Sequence, residues 1–148
     1  LNFIKKKNAA IHTKTIDLNK KIPEDMAGYF DAVCLHPYLN LDGIKMFLKG
    51  AVDCLKKHKN SRIYMTSWPV ALSDAEYITL QRTIIDSELI FREIITNFDC
   101  YDLSDWYSDM DNPLNISAIG EIMGEPLVKK LADLPAITPA MYILSPAI

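Results

Sequence analysis

In DAVCLHPYLNLDGI (residues 31–44) an apolar run, Ala32-Val33-Cys34-Leu35, breaks at His36-Pro37-Tyr38, and helical spacing takes over near Leu41. With Phe30 the run spans residues 30–35, the continuous apolar pattern of a strand whose parallel sheet is covered on both faces. Pro37 restrains His36 to an extended conformation and aims its side chain away from the sheet. Beyond the loop, Ile44, Phe47, Leu48, Ala51, Val52 and Leu55 recur at spacings of three and four, which predicts an amphipathic helix over residues 41–55.

The same alternation continues downstream. RIYMTSW (62–68) reads as a second buried strand, and Ser73 with Glu76 forms a capping box for a helix running to about residue 87. LIFREIITNF (89–98) is a third strand, rich in β-branched residues. A helix over 116–131 and a last strand over 140–144 complete the pattern. Upstream, the spacing suggests a short helix over 1–10 and a strand over 11–17, where Thr13 and Thr15 favour extended backbone. Residues 18–29, with Pro23 and Gly28, form a loop, as do residues 101–113. Strands alternating with helices define an α/β class with a mostly parallel sheet. Ligands of such sheets bind at the carboxyl ends of strands, which directs attention to Asp17 and to His36-Pro37-Tyr38.

Composition limits the function. At 148 residues the chain is one domain or part of one, and a hydrophobic fraction of 49% with 24% charged residues is that of an ordinary soluble protein. A net charge of -3 argues against a nucleic-acid partner. The clusters Lys5-Lys6-Lys7 and Lys56-Lys57-His58-Lys59 fall near helix ends and read as solvated termini. Cys34, Cys54 and Cys100 have neither zinc spacing nor a disulfide framework, which points to a reducing cytoplasm. Cys34 and Cys54 fall on apolar faces, as small core residues do. No apolar run approaches the ~20 residues of a membrane span, and no signal peptide is visible. The chain opens on Leu1 rather than Met, which reads as a fragment of a longer protein.

Three places carry candidate chemistry. Asp17, at the end of the 11–17 segment, can accept hydrogen bonds from an adenine amino group or simply tighten its own turn. At the second strand end, His36 is a candidate general base for an amine, and Tyr38 can stack on a flat or cationic ligand such as a sulfonium or ammonium. The third place is the acidic and aromatic stretch beginning Asp99-Cys100-Tyr101-Asp102 and reaching Asp111. Its carboxylates can pair the ammonium groups of a polyamine while its rings cover the methylenes; a solvated acidic loop is the other reading. No residue set has the spacing of a metal site.

Taken in order, these pieces resemble the branched-chain polyamine synthases and related methyltransferase-like proteins. The resemblance rests on Asp17-Leu18, Lys21-Ile22-Pro23-Glu24, Phe30-Asp31-Ala32-Val33, Leu35-His36-Pro37-Tyr38 and Asp42-Gly43-Ile44-Lys45-Met46-Phe47-Leu48. It continues in Leu80-Gln81-Arg82 and in Ile94-Ile95-Thr96-Asn97-Phe98-Asp99-Cys100-Tyr101. It implies the C-terminal portion, residues 1–148, of a catalytic domain with the class I methyltransferase (Rossmann-like) fold, lacking its first strands. The donor would be decarboxylated S-adenosylmethionine or S-adenosylmethionine itself, the acceptor a small amine or polyamine, and the assembly a homodimer. Asp17 and Leu18 would lie near the donor, Leu35, Pro37 and Tyr38 would line the pocket, and Asp99, Tyr101 and Asp102 would meet the acceptor. The family's acid-Pro-Pro-Tyr motif reads Leu35-His36-Pro37-Tyr38 here, so the acid that would hold the attacking amine is replaced. A non-catalytic binding or scaffold domain and an N-methyltransferase are the alternatives. The glycine-rich first turn and the acidic end of the second strand have no counterpart, and the missing strands would sit between segments 11–17 and 30–35.

Overall fold

The computed structural model describes residues 11–37, 40–68, 72–102 and 136–148. Within them the elements run β1 (Ala32–Leu35), α1 (Leu41–Cys54), β2 (Arg62–Ser67), α2 (Asp74–Asp86), β3 (Leu89–Ile95), β4 (Tyr101–Asp102), β5 (Ala136–Ile137) and β6 (Ala140–Pro146). β1 pairs in parallel with β2, and β6 lies antiparallel between β2 and β3, giving the order β1-β2-β6-β3. β1, β2 and β3 therefore point the same way and end on one edge of the sheet. This is the expected α/β class, but the small four-stranded sheet is mixed where mostly parallel pairing was expected: the reversed β6 makes antiparallel ladders with both β2 and β3. β4 and β5 form a separate two-stranded ladder.

Local chemistry sets the helix limits. The Asn40 side chain accepts from the Gly43 N–H at 2.7 Å and caps α1, while Asp42 places a negative charge in the first turn. α2 starts on the capping box read in the sequence. The Glu76 carboxylate accepts from the Ser73 N–H at 2.8 Å, and the Glu76 N–H points back at the Ser73 hydroxyl. α2 ends at Ser87, followed by Glu88 at φ 56, a left-handed position where glycine is the usual occupant.

Both helices cover one sheet face. Along β2, Ile63, Met65 and Ser67 are buried; along β6, Ala140, Tyr142 and Leu144 join them. Ile44, Leu48 and Ala51 of α1 and Leu80 and Ile84 of α2 pack onto this layer, with Val33 and Leu35 of β1 at its border. Shaving any of the fully buried Leu48, Leu80 or Leu144 to Ala would cost about 2–5 kcal/mol. On the opposite face Tyr64, Thr66, Met141 and Ile143 are only half-buried.

β3 is irregular. Phe91 lies opposite Leu144 and Glu93 opposite Ile143, so Arg92 is the extra residue of a bulge. Its Nε donates to the buried Ser145 Oγ at 2.6 Å. The bulge puts Phe91 and Ile94, three apart, on the helix-facing side, where the Phe91 ring meets Tyr142 edge-on at 5.9 Å.

Several expectations are corrected. Residues 11–17 form no strand. Ile11 is 42% exposed and Lys14 turns out to an ion pair with Asp25, so the segment has no buried face for its β-branched residues to fill. The second segment is a strand only from Ala32; Phe30 makes a single parallel bridge to Leu55. β3 stops at Ile95, and Asn97 turns the chain at φ 52. Tyr101 and Asp102 belong to β4 rather than to a loop. Cys54 is buried as expected, but Cys34 is exposed, because it sits on the sheet face opposite the helices. The expected helices over 1–10 and 116–131 lie outside the described residues.

Candidate active site at the strand ends

The parallel register pairs Leu35 with Met65, so the residues that follow, His36 and Thr66, meet at the carboxyl edge of the sheet. His36 Nδ1 stands 2.7 Å from Thr66 Oγ1, and the Thr66 hydroxyl donates to the Leu35 carbonyl at 3.2 Å. Trp68, 6% exposed, turns its ring edge-on to His36 with centroids 6.4 Å apart and planes at 74°. Pro37 is buried, next to the exposed His36. The result is a titratable imidazole at the surface, braced by a hydroxyl and an indole. An imidazole so held presents ring nitrogens that can donate or accept a hydrogen bond.

The other sequence candidates separate. Leu35 packs against the helix-covered core, so its side chain is directed away from the outer loop. Asp17 is engaged in its own turn: its Oδ1 accepts from the Asn19 N–H at 3.0 Å, and its Oδ2 faces Lys20 at 3.7 Å. Leu18 packs beside Gly50 of α1, where a methyl group on Gly50 would come within 3.0 Å of it. Asp99 is exposed and accepts from the Cys100 N–H at 2.8 Å. It follows the carboxyl end of β3, so Asp99, Tyr101 and Asp102 leave the sheet from the edge that carries His36. Three strand spacings of ~4.8 Å separate the β1 and β3 ends, roughly 14 Å. Tyr38 lies outside the described residues.

Thr66 and Trp68 were not singled out by sequence reasoning, which treated RIYMTSW only as a buried strand. The signal was available in the register: two adjacent parallel strands bring the residues just past their apolar runs side by side.

A separate cavity of about 310 Å³ lies between α2, β3 and β6, lined by Leu80, Ile84, Phe91 and Ile94. At its wall the Tyr77 and Tyr142 hydroxyls are 2.6 Å apart. Burial and the Tyr77 hydroxyl together push the Tyr142 phenol well above its ordinary range. Among the described residues, none of the sequence-derived site residues lines this cavity. Among the described residues no His, Cys, Asp and Glu side chains cluster as a metal site would require, and no helix is long and apolar enough to cross a membrane.

Three co-directional strands with a reversed last strand between them, helices on one face and a polar–aromatic cluster at the strand ends make this a methyltransferase-like α/β domain. Comparison with solved structures agrees. The chain superposes on branched-chain polyamine synthase from Thermus thermophilus, solved in complex with N4-aminopropylspermidine and 5'-methylthioadenosine, with a TM-score of 0.72 at 17% identity. The match covers 99% of this chain and 40% of the Thermus chain. A candidate methyltransferase from Bacillus halodurans matches with a TM-score of 0.58 at 9% identity, over 99% of this chain and 76% of its own. An uncharacterised protein of Methanocaldococcus jannaschii is 25% identical over 131 residues, 88% of this chain. Residues 1–118 match the branched-chain polyamine synthase A C-terminal domain, and the chain belongs to that family. It spans 31% of the Methanocaldococcus relative's length.

Proposed function

We propose that this chain is the C-terminal portion of a methyltransferase-like catalytic domain that transfers an aminopropyl group from decarboxylated S-adenosylmethionine to a polyamine nitrogen. The observation that carries the reading is the braced His36 at the carboxyl ends of adjacent parallel strands. The ligands seen in the Thermus relative support the choice of donor and acceptor.

In this reaction a neutral amine attacks the carbon beside the sulfonium. A C–N bond forms, the C–S bond breaks, and its electron pair stays on sulfur, releasing a neutral thioether. The ammonium product then sheds one proton, which His36 accepts. Holding amine and donor in line supplies most of the acceleration, and the base adds to it. Asp99, in the segment that follows β3, offers negative charge to the distal ammonium groups of an extended acceptor. Asp17 holds its own turn through Asn19 and faces Lys20. No step is assigned to it.

One observation favours a second reading, a non-catalytic domain that keeps the fold: Leu35 stands where the resemblance expects an acid and packs, partly buried, against the core. Calorimetric titration of the full-length protein with decarboxylated and ordinary S-adenosylmethionine separates the readings. Tighter binding of the decarboxylated donor supports aminopropyl transfer, preference for the carboxylated form favours methyl transfer, and binding of neither leaves the scaffold.

A further inference from the structure

We propose that the cavity between α2, β3 and β6 is a binding site for a small uncharged molecule with a ring-sized apolar body and one hydroxyl group, which the Tyr77 hydroxyl holds. The site is separate from the strand-end cluster and does not depend on the transfer reading.

The lining of the cavity carries the inference. Leu80 and Ile84, both fully buried, form its inner side, and Phe91 and Ile94 form the β3 wall. The bulge decides what that wall contains. In a regular strand Phe91 and Glu93 would share a face. The extra residue, Arg92, puts Ile94 beside Phe91 instead, opposite Tyr142, and leaves Glu93 opposite Ile143. A carboxylate is thereby kept out, and among the described residues no Asp, Glu, Lys, Arg or His lines the cavity. Burial and the Tyr77 hydroxyl keep the Tyr142 phenol protonated, so this wall too is uncharged at neutral pH. A charged molecule would lose its hydration there with no opposite charge to meet it. The volume of about 310 Å³ is that of a small ligand pocket, and the edge-on rings of Phe91 and Tyr142 favour an aromatic body. Polar groups are few. Tyr142 is 2% exposed, whereas Tyr77 is half-buried, so Tyr77 carries the hydroxyl that a ligand can reach. Whichever oxygen donates in the 2.6 Å contact between them, Tyr77 Oη keeps capacity for at least one further hydrogen bond. One ligand hydroxyl meets that capacity. The apolar remainder covers Ile94, which is 50% exposed at the rim.

The test is NMR titration of the full-length protein, labelled with carbon-13 at its isoleucine methyl groups, with p-cresol and with toluene, the same ring and methyl without the hydroxyl. Signals of Ile84 and Ile94 are assigned by their loss in Ile84→Val and Ile94→Val. Both signals should shift saturably with either probe, and p-cresol should bind roughly three- to tenfold tighter than toluene. Tyr77→Phe should bring p-cresol down to the affinity of toluene and leave toluene unchanged. Ile94→Trp, at the half-exposed rim, should fill the cavity and abolish binding of both. A wild type with no saturable shift at Ile84 and Ile94, or with equal affinity for the two probes, overturns the proposal. So does a preference for p-cresol that survives Tyr77→Phe, or binding that survives in a folded Ile94→Trp protein. The wild-type titrations decide even if a variant fails to fold.

Discussion

His36 and Leu35 are neighbours in sequence with opposite environments, and that contrast governs what substitutions there do. Leu35 packs on the core, so Leu35→Asp places a carboxylate against apolar side chains instead of restoring the family's acid to the loop. Urea unfolding should show a loss of about 2–3 kcal/mol, with no transfer activity gained. Glu88 illustrates strain of a different kind. At φ 56 it follows the α2 C-cap, where a side chain is unfavourable, so Glu88→Gly should stabilise the domain by up to about 1 kcal/mol in the same measurement. Sequence reading singled out His36 and Pro37 as candidates and found the strand that delivers them. It could not see that Thr66 meets His36, because that contact arises only from strand register, nor could it tell that Leu35 turns inward while His36 turns out.

At the level of elements, legibility followed the strength of local chemistry. The α1 spacing and the Ser73–Glu76 box specify their helices within a few residues, so both were found. The 11–17 segment has β-branched residues but no buried face, and propensity without packing made no strand. The bulge at Arg92 was invisible because LIFREII reads equally well as regular. The capping box gives a prediction with a definite pH sign. Hydrogen bonds from Ser73 hold the Glu76 carboxyl below its ordinary value of 4.5, so the ionised form stabilises the folded state. That contribution is complete above pH 4.5 and is lost as pH falls through the lower folded value. Glu76→Gln should therefore be less stable than wild type at neutral pH, and denaturation curves of the two should converge on acidification.

At the scale of the whole molecule, the described residues share one helix-covered core layer, and the Tyr77–Tyr142 hydroxyl pair ties α2 to β6 within it. Tyr142→Phe should cost about 1 kcal/mol and Tyr142→Phe with Tyr77→Phe less than the sum of the two single changes, measured as a double-mutant cycle. The folded state also holds the Tyr142 phenol protonated above its ordinary value of 10, so its contribution to stability should fall as pH rises beyond that point. The sheet brings the β1, β2 and β3 ends to one edge, so His36 and Asp99, read separately in the sequence, both follow strands that end there. The reading of that edge as a transfer site is tested most directly by incubating the full-length protein with decarboxylated S-adenosylmethionine and spermidine and following 5'-methylthioadenosine release. The account predicts release that depends on spermidine and falls at least about tenfold in His36→Ala. Release that is unchanged in a folded His36→Ala protein, or no release by wild type at all, would contradict it.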